Sequence, residues 1–270
     1  MSQPSTNQPG RPSCEHTQCC AALKPECYGG IVLCGGRSRR MGRDKTWLRF
    51  GAETMLQRVV RLLGEAVDRL VVVGGIGQQL PPLDGSIRLL RDRQADRGPL
   101  EGIAVGLAAL GGRGNGVEQS GPLVPESACL TRHDDSSLRA SDVCRIRLAF
   151  VVGCDMPLLR PALVRRMLEL AAGYDLLAPA IEDHYEPLAA VYSLDVLPHI
   201  EKLLAAGRRR PIELFPLVRT RLVSEDCLRH ADPQLQSFFN VNGLADYRAA
   251  LRLAGLSEDA DYDAQIGGRT

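Results

Sequence analysis

Short runs of apolar residues alternate along most of the chain with segments whose apolar residues recur at helical spacing. Such runs are typical of strands buried on both faces of a sheet, and the spaced segments are typical of covering helices. The pattern therefore predicts an α/β fold in three layers, with a mainly parallel sheet between helices. The predicted strands are 29–34, 69–74, 87–90, 147–153, 175–180, 188–193 and 220–224, and the predicted helices are 54–63, 99–110, 161–172, 195–206, 211–218 and 244–254.

Three stretches lack this alternation. Residues 1–27 are polar and proline-rich and contain four cysteines, which predicts a flexible leader. Residues 112–146 are rich in glycine, serine and charge, which predicts a disordered surface insertion. Residues 257–270 are interpreted as a flexible tail. One folded domain is therefore expected over 28–256.

Composition excludes several classes of function. Lysine and arginine total 33 against 32 aspartate and glutamate, so the net charge of +1 creates no general attraction to nucleic acid or to an acidic membrane. Aromatic residues make up only 4%, too few for a base-stacking platform. The N-terminus lacks the apolar core of a signal peptide, and no apolar run approaches the roughly 20 residues of a membrane span. These features predict a cytoplasmic protein without nucleic-acid or membrane partners.

The segment after the first predicted strand combines glycines with cations. Gly35 and Gly36 are followed by four arginines and Lys45 within residues 37–45. Glycines let the backbone N–H groups approach anionic oxygens, and the cations suit a triphosphate. The spacing fits neither the Walker A pattern nor GxGxxG, and a solvated basic loop is the alternative. Its position directly after a core strand favours phosphate binding, because α/β sheets bind ligands at the carboxyl ends of their strands.

A carboxylate follows the most apolar predicted strand at the corresponding place. Asp155 comes directly after VVGC and two residues before Pro157. Magnesium prefers one or two carboxylates together with phosphate oxygens and water. A turn aspartate before a proline is the alternative interpretation. The sequence thus predicts a metal carboxylate close to the glycine-rich segment.

Three motifs together resemble the molybdenum cofactor guanylyltransferases. LCGGRSRRMGRDK at 33–45 is similar to their signature LAGGxSxRMGxDK, with Cys34 in place of the usual alanine. CDMP at 154–157 matches their CDxP segment, and Asp92 followed by GPLEG at 98–102 resembles their second block. The resemblance covers about 29–254 apart from the insertion. It implies a Rossmann-like nucleotidyltransferase domain.

The resemblance also implies residue roles. Arg40, Lys45 and Asp155 are expected to be catalytic, and Asp155 to bind Mg²⁺. The expected nucleotide-binding residues are Leu33, Cys34, Gly35, Gly36, Lys45, Asp92 and Asp155.

Two further segments are assigned to the acceptor side. FFNVN at 238–242 resembles the FxNxN motif of the family. At alternating strand positions Asn240 and Asn242 would face the same side, whereas a pair of turn-forming asparagines is the alternative. EPLAAVY at 186–192, which contains Pro187, resembles another acceptor-side segment.

The implied reaction transfers GMP from GTP to the phosphate of molybdopterin and releases pyrophosphate. Transient contacts with proteins that deliver or receive the cofactor are also expected. The Gly35-Gly36 pair favours guanine, because the related cytidylyltransferases usually carry alanine-glycine at these two positions. Gly74 weakens that preference, because it stands where some members carry a nucleotide-binding asparagine. A cytidylyltransferase or other nucleotidyltransferase and a non-catalytic nucleotide-binding module remain the alternatives.

Overall fold

The computed structural model describes residues 27–35, 44–95, 97–112, 145–182 and 184–257. The strands are β1 Tyr28–Leu33, β2 Arg49–Phe50, β3 Glu53–Thr54, β4 Arg69–Gly74, β5 Arg88–Arg91, β6 Leu148–Gly153, β7 Leu176–Ile181, β8 His184–Tyr185, β9 Ala189–Ser193 and β10 Thr220–Ser224. The helices are α1 Met55–Gly64, α2 Pro99–Leu110, α3 Pro161–Leu170, α4 Leu197–Ala205, α5 Glu225–Arg229 and α6 Leu244–Leu253, with 3-10 helices at Lys45–Trp47, Leu194–Val196, Pro211–Leu217 and Gln236–Phe238.

The main sheet has the strand order β10-β7-β9-β6-β1-β4-β5, and the short β8 pairs with β7. Strand β1 is parallel to both of its neighbours, β4 and β6, and the β4–β5 and β7–β10 pairs are parallel too. Strand β9 runs antiparallel between β6 and β7. The predicted α/β fold with a mainly parallel sheet is therefore confirmed, with β9 as an antiparallel strand in its interior.

Both faces of the sheet are buried, as the continuous apolar runs predict. Alternate residues of β1 pack to opposite sides: Ile31 and Leu33 join the core beneath α2, whereas Val32 joins the core beneath α1 and α3. Thr54 and Gln57 form a capping box that starts α1, and Pro99 occupies the first turn of α2. The helices cover both faces of the sheet and leave its strand ends open.

Ile146 marks one boundary that the sequence misplaces. It falls within the predicted insertion, yet its side chain is only 4% exposed and packs in the core beneath α2. The ordered fold therefore resumes before β6. Residues 113–144 of the predicted insertion, the leader up to residue 26 and the tail from residue 258 lie outside the described residues.

The strand positions considered for Asn240 and Asn242 are not observed. Residues Gln236–Phe238 form a 3-10 turn, and residues 239–242 are irregular. Phe238 and Val241 are the buried apolar residues of this segment, and their spacing of three does not suit a strand, whose side chains alternate. The Val241 N–H donates to the Asp155 carbonyl oxygen at 2.9 Å, which joins this segment to the residues after β6.

No helix among the described residues is long and apolar enough to cross a membrane.

Candidate active site

The site lies where the neighbouring parallel strands β1 and β6 end. The hydrogen-bond ladder continues for one residue beyond each strand: the Cys154 N–H donates to the Leu33 carbonyl at 2.9 Å, and the Cys34 N–H donates to the Val73 carbonyl at 2.8 Å. This register brings Gly35 and Asp155 to the same edge of the sheet, at its carboxyl end. Open α/β sheets bind their ligands at this edge.

Lys45 lies between two side-chain oxygens at this edge. Its Nζ atom is 3.5 Å from Asp155 Oδ2 and 3.3 Å from Asn242 Oδ1. The Lys45 side chain is 12% exposed and that of Asp155 is 30% exposed, so the pair is partly shielded from water while the carboxylate remains accessible. The Val241–Asp155 backbone bond places Asn242 beside this pair. The Lys45 ammonium thus connects three segments that are distant in sequence.

The turn that carries Lys45 is fixed by Asp44. Asp44 Oδ1 accepts hydrogen bonds from the Thr46 N–H at 3.0 Å and from the Thr46 hydroxyl at 2.7 Å. Thr46 is completely buried. This capping arrangement satisfies a backbone donor at the start of the turn and so holds the Lys45 backbone in place.

Asp92 occupies a second position at the same edge, on the side of α2. Its N–H donates to the Gly74 carbonyl at 3.0 Å. A Cβ atom on Gly35 would lie 3.1 Å from Asp92 Oδ2, and one on Gly102 would lie 3.5 Å from Oδ1. Burial raises the pKa of Asp92 to about 6, and the negative charge of Glu101 adds to the rise, which Arg91 partly offsets. Asp92 therefore lies between the glycine-rich segment and the first turn of α2.

The segment before β9 borders the site on the other side. The Leu188 carbonyl accepts from the Gly153 N–H at 3.1 Å, and the Pro187 carbonyl accepts from the Tyr192 hydroxyl at 2.8 Å. Burial raises the pKa of Glu186, His184 opposes that rise, and the negative charge of Asp155 adds to it. The negative charge of Asp155 therefore acts on Glu186.

The family model described as the MobA-like NTP transferase domain matches residues 30–219. The chain belongs to this family. It is 36% identical over 217 residues to a probable molybdenum cofactor guanylyltransferase of Pelotomaculum thermopropionicum, covering 80% of this chain and 88% of the relative. A probable enzyme of the same name from Methanosarcina mazei is 32% identical over 227 residues, covering 80% and 86%. This chain is therefore a nucleotidyltransferase.

Solved structures agree on the fold. Molybdopterin-guanine dinucleotide biosynthesis protein A from Archaeoglobus fulgidus superposes with a TM-score of 0.60 at 19% identity, covering 84% of this chain and 98% of that chain. The 2-C-methyl-D-erythritol 4-phosphate cytidylyltransferase of Thermus thermophilus gives a TM-score of 0.52 at 16% identity, covering 84% and 98%. Both likenesses concern the nucleotidyltransferase fold alone.

In this MobA-like chain, most of the residues expected from the sequence lie at one edge of the sheet. Asn240, Gly36 and Arg40 are the exceptions. The Asn240 amide donates to the Phe238 carbonyl at 3.5 Å, a contact within its own turn, whereas Asn242 reaches Lys45. The two asparagines therefore differ in their contacts, because they do not occupy strand positions. Gly36 and Arg40 lie outside the described residues.

Cys34 and Cys154 pack as small apolar side chains behind the site. Both are free thiols and both are buried. A hydrogen bond with Cys34 raises the pKa of the Cys154 thiol, and burial raises it further. The two thiols thus form part of the apolar support behind Gly35 and Asp155.

Sequence reasoning missed two residues at this edge. The Gln78 side chain contacts Asp44, Cys34 and Gly75. A Cβ atom on Gly74 would lie 2.5 Å from Arg91 Nη1, so the Arg91 guanidinium occupies the space beside Gly74. Arg91 directly follows the predicted strand 87–90, and Gln78 lies four residues beyond the predicted strand 69–74; these positions were the available signal. Their contacts, however, depend on neighbours distant in sequence.

The donor set suits a metal that is shared with a substrate. The described residues contain no group of three or more histidine, cysteine, aspartate or glutamate side chains that could enclose an ion. Asp155 and the Asn242 amide oxygen, which both contact Lys45, offer hard oxygen donors. Mg²⁺ takes one or two carboxylates and completes its shell with phosphate oxygens and water. The residues present therefore fit Mg²⁺.

Proposed function

We propose that this protein transfers GMP from GTP to the phosphate of molybdopterin and releases pyrophosphate. The observation that carries the proposal is the meeting of Lys45, Asp155 and Asn242 beside Gly35 at the carboxyl edge of the sheet. A cation and an accessible carboxylate at this edge suit a nucleoside triphosphate and its metal. The names of the relatives in this family support guanine and molybdopterin as the substrates.

In this proposal the nucleotide lies along the glycine-rich segment. The backbone of Leu33, Cys34, Gly35 and Gly36 would face the triphosphate, with Arg40 and Lys45 supplying positive charge. Asp92 would contact the nucleoside from the side of α2. Asp155 would hold Mg²⁺. When bound, Mg²⁺ supplies positive charge against the phosphate oxygens.

The chemistry would be the exchange of one phosphoanhydride bond for another at the α-phosphorus. An oxygen of the acceptor phosphate forms a bond to the α-phosphorus of GTP, and the bond from that phosphorus to the bridging oxygen of the β-phosphate breaks. Pyrophosphate leaves with the electron pair. The acceptor is already an anion, so no strong general base is required. Lys45 and Arg40 would stabilise the charge that grows on the leaving group, and alignment of the substrates would supply much of the remaining acceleration.

The acceptor side would be formed by Pro187, Asn240 and Asn242. Asn242 has the strongest support, because its amide oxygen already contacts the Lys45 ammonium. Asn240 would bind the acceptor only if its local contact with the Phe238 carbonyl were exchanged. Transient contacts with proteins that deliver or receive the cofactor stay predictions, as does the cytoplasmic location.

The test is Mg²⁺-dependent pyrophosphate release, measured with each of GTP, CTP, ATP and UTP, with and without molybdopterin. We expect release with GTP that requires both the acceptor and Mg²⁺. Release with CTP but not GTP would instead identify a cytidylyltransferase. Binding of a nucleotide without release for any of them would identify a non-catalytic nucleotide-binding module and contradict the proposal.

A further inference from the structure

One side chain, Gln78, contacts both ends of the glycine- and arginine-rich segment. Its amide Nε2 donates to Asp44 Oδ2 at 2.6 Å and to the Cys34 carbonyl at 3.2 Å. Its Oε1 accepts from the Gly75 N–H at 2.9 Å. The orientation of the amide follows from chemistry, since a carboxylate and a carbonyl only accept and a backbone N–H only donates. Gln78 is half-buried and lies outside the apolar cores.

The bond to Asp44 connects Gln78 with Lys45. One oxygen of the Asp44 carboxylate caps the Lys45–Trp47 turn through Thr46, and the other oxygen is held by Gln78. A hydrogen bond to a charged acceptor is shorter and stronger than a neutral one, and 2.6 Å is a short distance for nitrogen and oxygen. Gln78 thus holds the carboxylate that caps the turn carrying Lys45.

A second hydrogen bond joins the loop after β4 to the Lys45–Trp47 turn. The Trp47 indole N–H donates to the Gln79 carbonyl at 3.0 Å. The loop after β4 thus holds the Lys45–Trp47 turn at its beginning, through Gln78 and Asp44, and at its end, through Gln79 and Trp47. Because β4 is paired directly with β1, this loop is anchored to the sheet that carries the site.

We infer that Gln78 is a positioning residue for the nucleotidyl transfer: it holds the Asp44–Lys45 turn so that the Lys45 ammonium meets the triphosphate. This inference rests on the proposed function. Gln78 acts through Asp44 and the Cys34 carbonyl rather than by contact with the reacting atoms. Because the charge that Lys45 neutralises grows in the transition state, misplacing Lys45 should affect turnover more than nucleotide affinity.

The first test compares Gln78→Met with Gln79→Met. Methionine has a similar length to glutamine but cannot make these hydrogen bonds. The exposed Gln79 provides a matched control, because the described residues use only its backbone carbonyl. We expect Gln78→Met to lower kcat about tenfold or more while the KM for GTP changes less than about threefold, and Gln79→Met to match the wild type. A kcat for Gln78→Met within about twofold of the wild type would overturn the inference, as would an equal effect of Gln79→Met.

Gln78→Glu provides a second variant with a different expectation. It keeps the acceptor for the Gly75 N–H but places a second carboxylate against Asp44. We expect a kcat at least as low as that of Gln78→Met, because repulsion would displace the turn. Activity close to that of the wild type would show that the bond to Asp44 does not position Lys45.

A readout without turnover separates this inference from the proposed function. Trp47 is the only tryptophan of the chain, so its emission reports on the turn directly. If no nucleotide supports pyrophosphate release by the wild type, the proposed function fails, but the emission still tests the role of Gln78. We expect acrylamide to quench Trp47 about twofold more strongly in Gln78→Met than in Gln79→Met, with thermal unfolding confirming that both are folded. Equal quenching in the two variants would overturn the inference.

Discussion

The Lys45 ammonium lies 3.5 Å from the Asp155 carboxylate, although the two residues follow different strands far apart in the sequence. The parallel pairing of β1 with β6 brings them to one edge, and the Asn242 amide oxygen completes the surroundings of the cation. In this arrangement the positive charge of Lys45 is partly neutralised by Asp155. Under the proposed function, a bound triphosphate would replace Asp155 as the partner of the Lys45 ammonium, and the 30% exposure of the Asp155 side chain leaves room for a ligand.

Replacing Lys45 by methionine should reduce kcat by roughly 10²–10³, the range found when one transition-state donor is removed. The loss would arise because one of the two cations proposed to face the growing charge of the leaving group is then missing. Steady-state pyrophosphate release with GTP measures it. Lys202→Met is the control, since Lys202 is an exposed residue of α4 and should tolerate the change. Turnover by Lys45→Met at the wild-type rate would remove Lys45 from the mechanism.

Asp155→Asn should abolish Mg²⁺-dependent transfer while the protein stays folded. The amide keeps the shape of the side chain but cannot supply the negative charge that a hard cation requires. Activity is measured over a range of Mg²⁺ concentrations, and urea unfolding reports on stability. Asp226→Asn, at an exposed position in α5, serves as the comparison. An Asp155→Asn enzyme with full activity would mean that the metal assignment is wrong.

Asp92 should make stability depend on pH. Its pKa of about 6 in the folded protein lies above the ordinary value of 3.8, so the folded state binds the proton more tightly than the unfolded state. The resulting stabilisation is fully present below the unfolded pKa and is lost as the pH rises through about 6. Between about pH 5 and about pH 7.5, the wild type should lose about 1 kcal/mol more than Asp92→Asn, after allowance for solvent screening of this partly exposed group. Urea unfolding at both pH values measures the difference, and identical pH profiles would contradict the assignment.

Two glycine-to-alanine changes should have opposite effects on stability. A Cβ atom on Gly106 of α2 would lie 2.7 Å from Ile31 Cδ1 and Cγ2, closer than packed carbon atoms approach. Ile31 is fully buried in β1, so Gly106→Ala should destabilise the fold by about 1–3 kcal/mol. Gly64, at the end of α1, has nothing within 4 Å of such an atom. Gly64→Ala should be neutral or stabilising by up to about 1 kcal/mol. Chemical unfolding of both variants tests this pair, and equal effects would show that α2 does not pack as closely as described.

Local sequence patterns predicted many of the helices and strands of this protein and the position of one site residue. The apolar run of β6 predicts a buried strand, and the position of Asp155 directly after it predicts a carboxylate at the edge of the sheet. The helical spacing of apolar residues likewise predicts α1 and α3 close to their observed bounds. These predictions hold because backbone geometry and side-chain burial repeat over a few residues, so the signal lies within each segment. The motifs at 33–45 and 154–157 also led to the correct family.

Only the tertiary structure decided which side chains meet. Asn240 and Asn242 do not occupy strand positions. Phe238 and Val241, which are both buried, lie three residues apart, and this spacing does not match the alternation of side chains in a strand. That irregular path separates Asn240, which bonds within its turn, from Asn242, which reaches Lys45. Gln78 contacts Asp44 and Cys34 because β4 lies beside β1, and no pattern near Gln78 contains that information. Local sequence thus determined the elements and the chemistry at their ends, whereas strand order and loop packing selected the partners, because those contacts join residues distant along the chain.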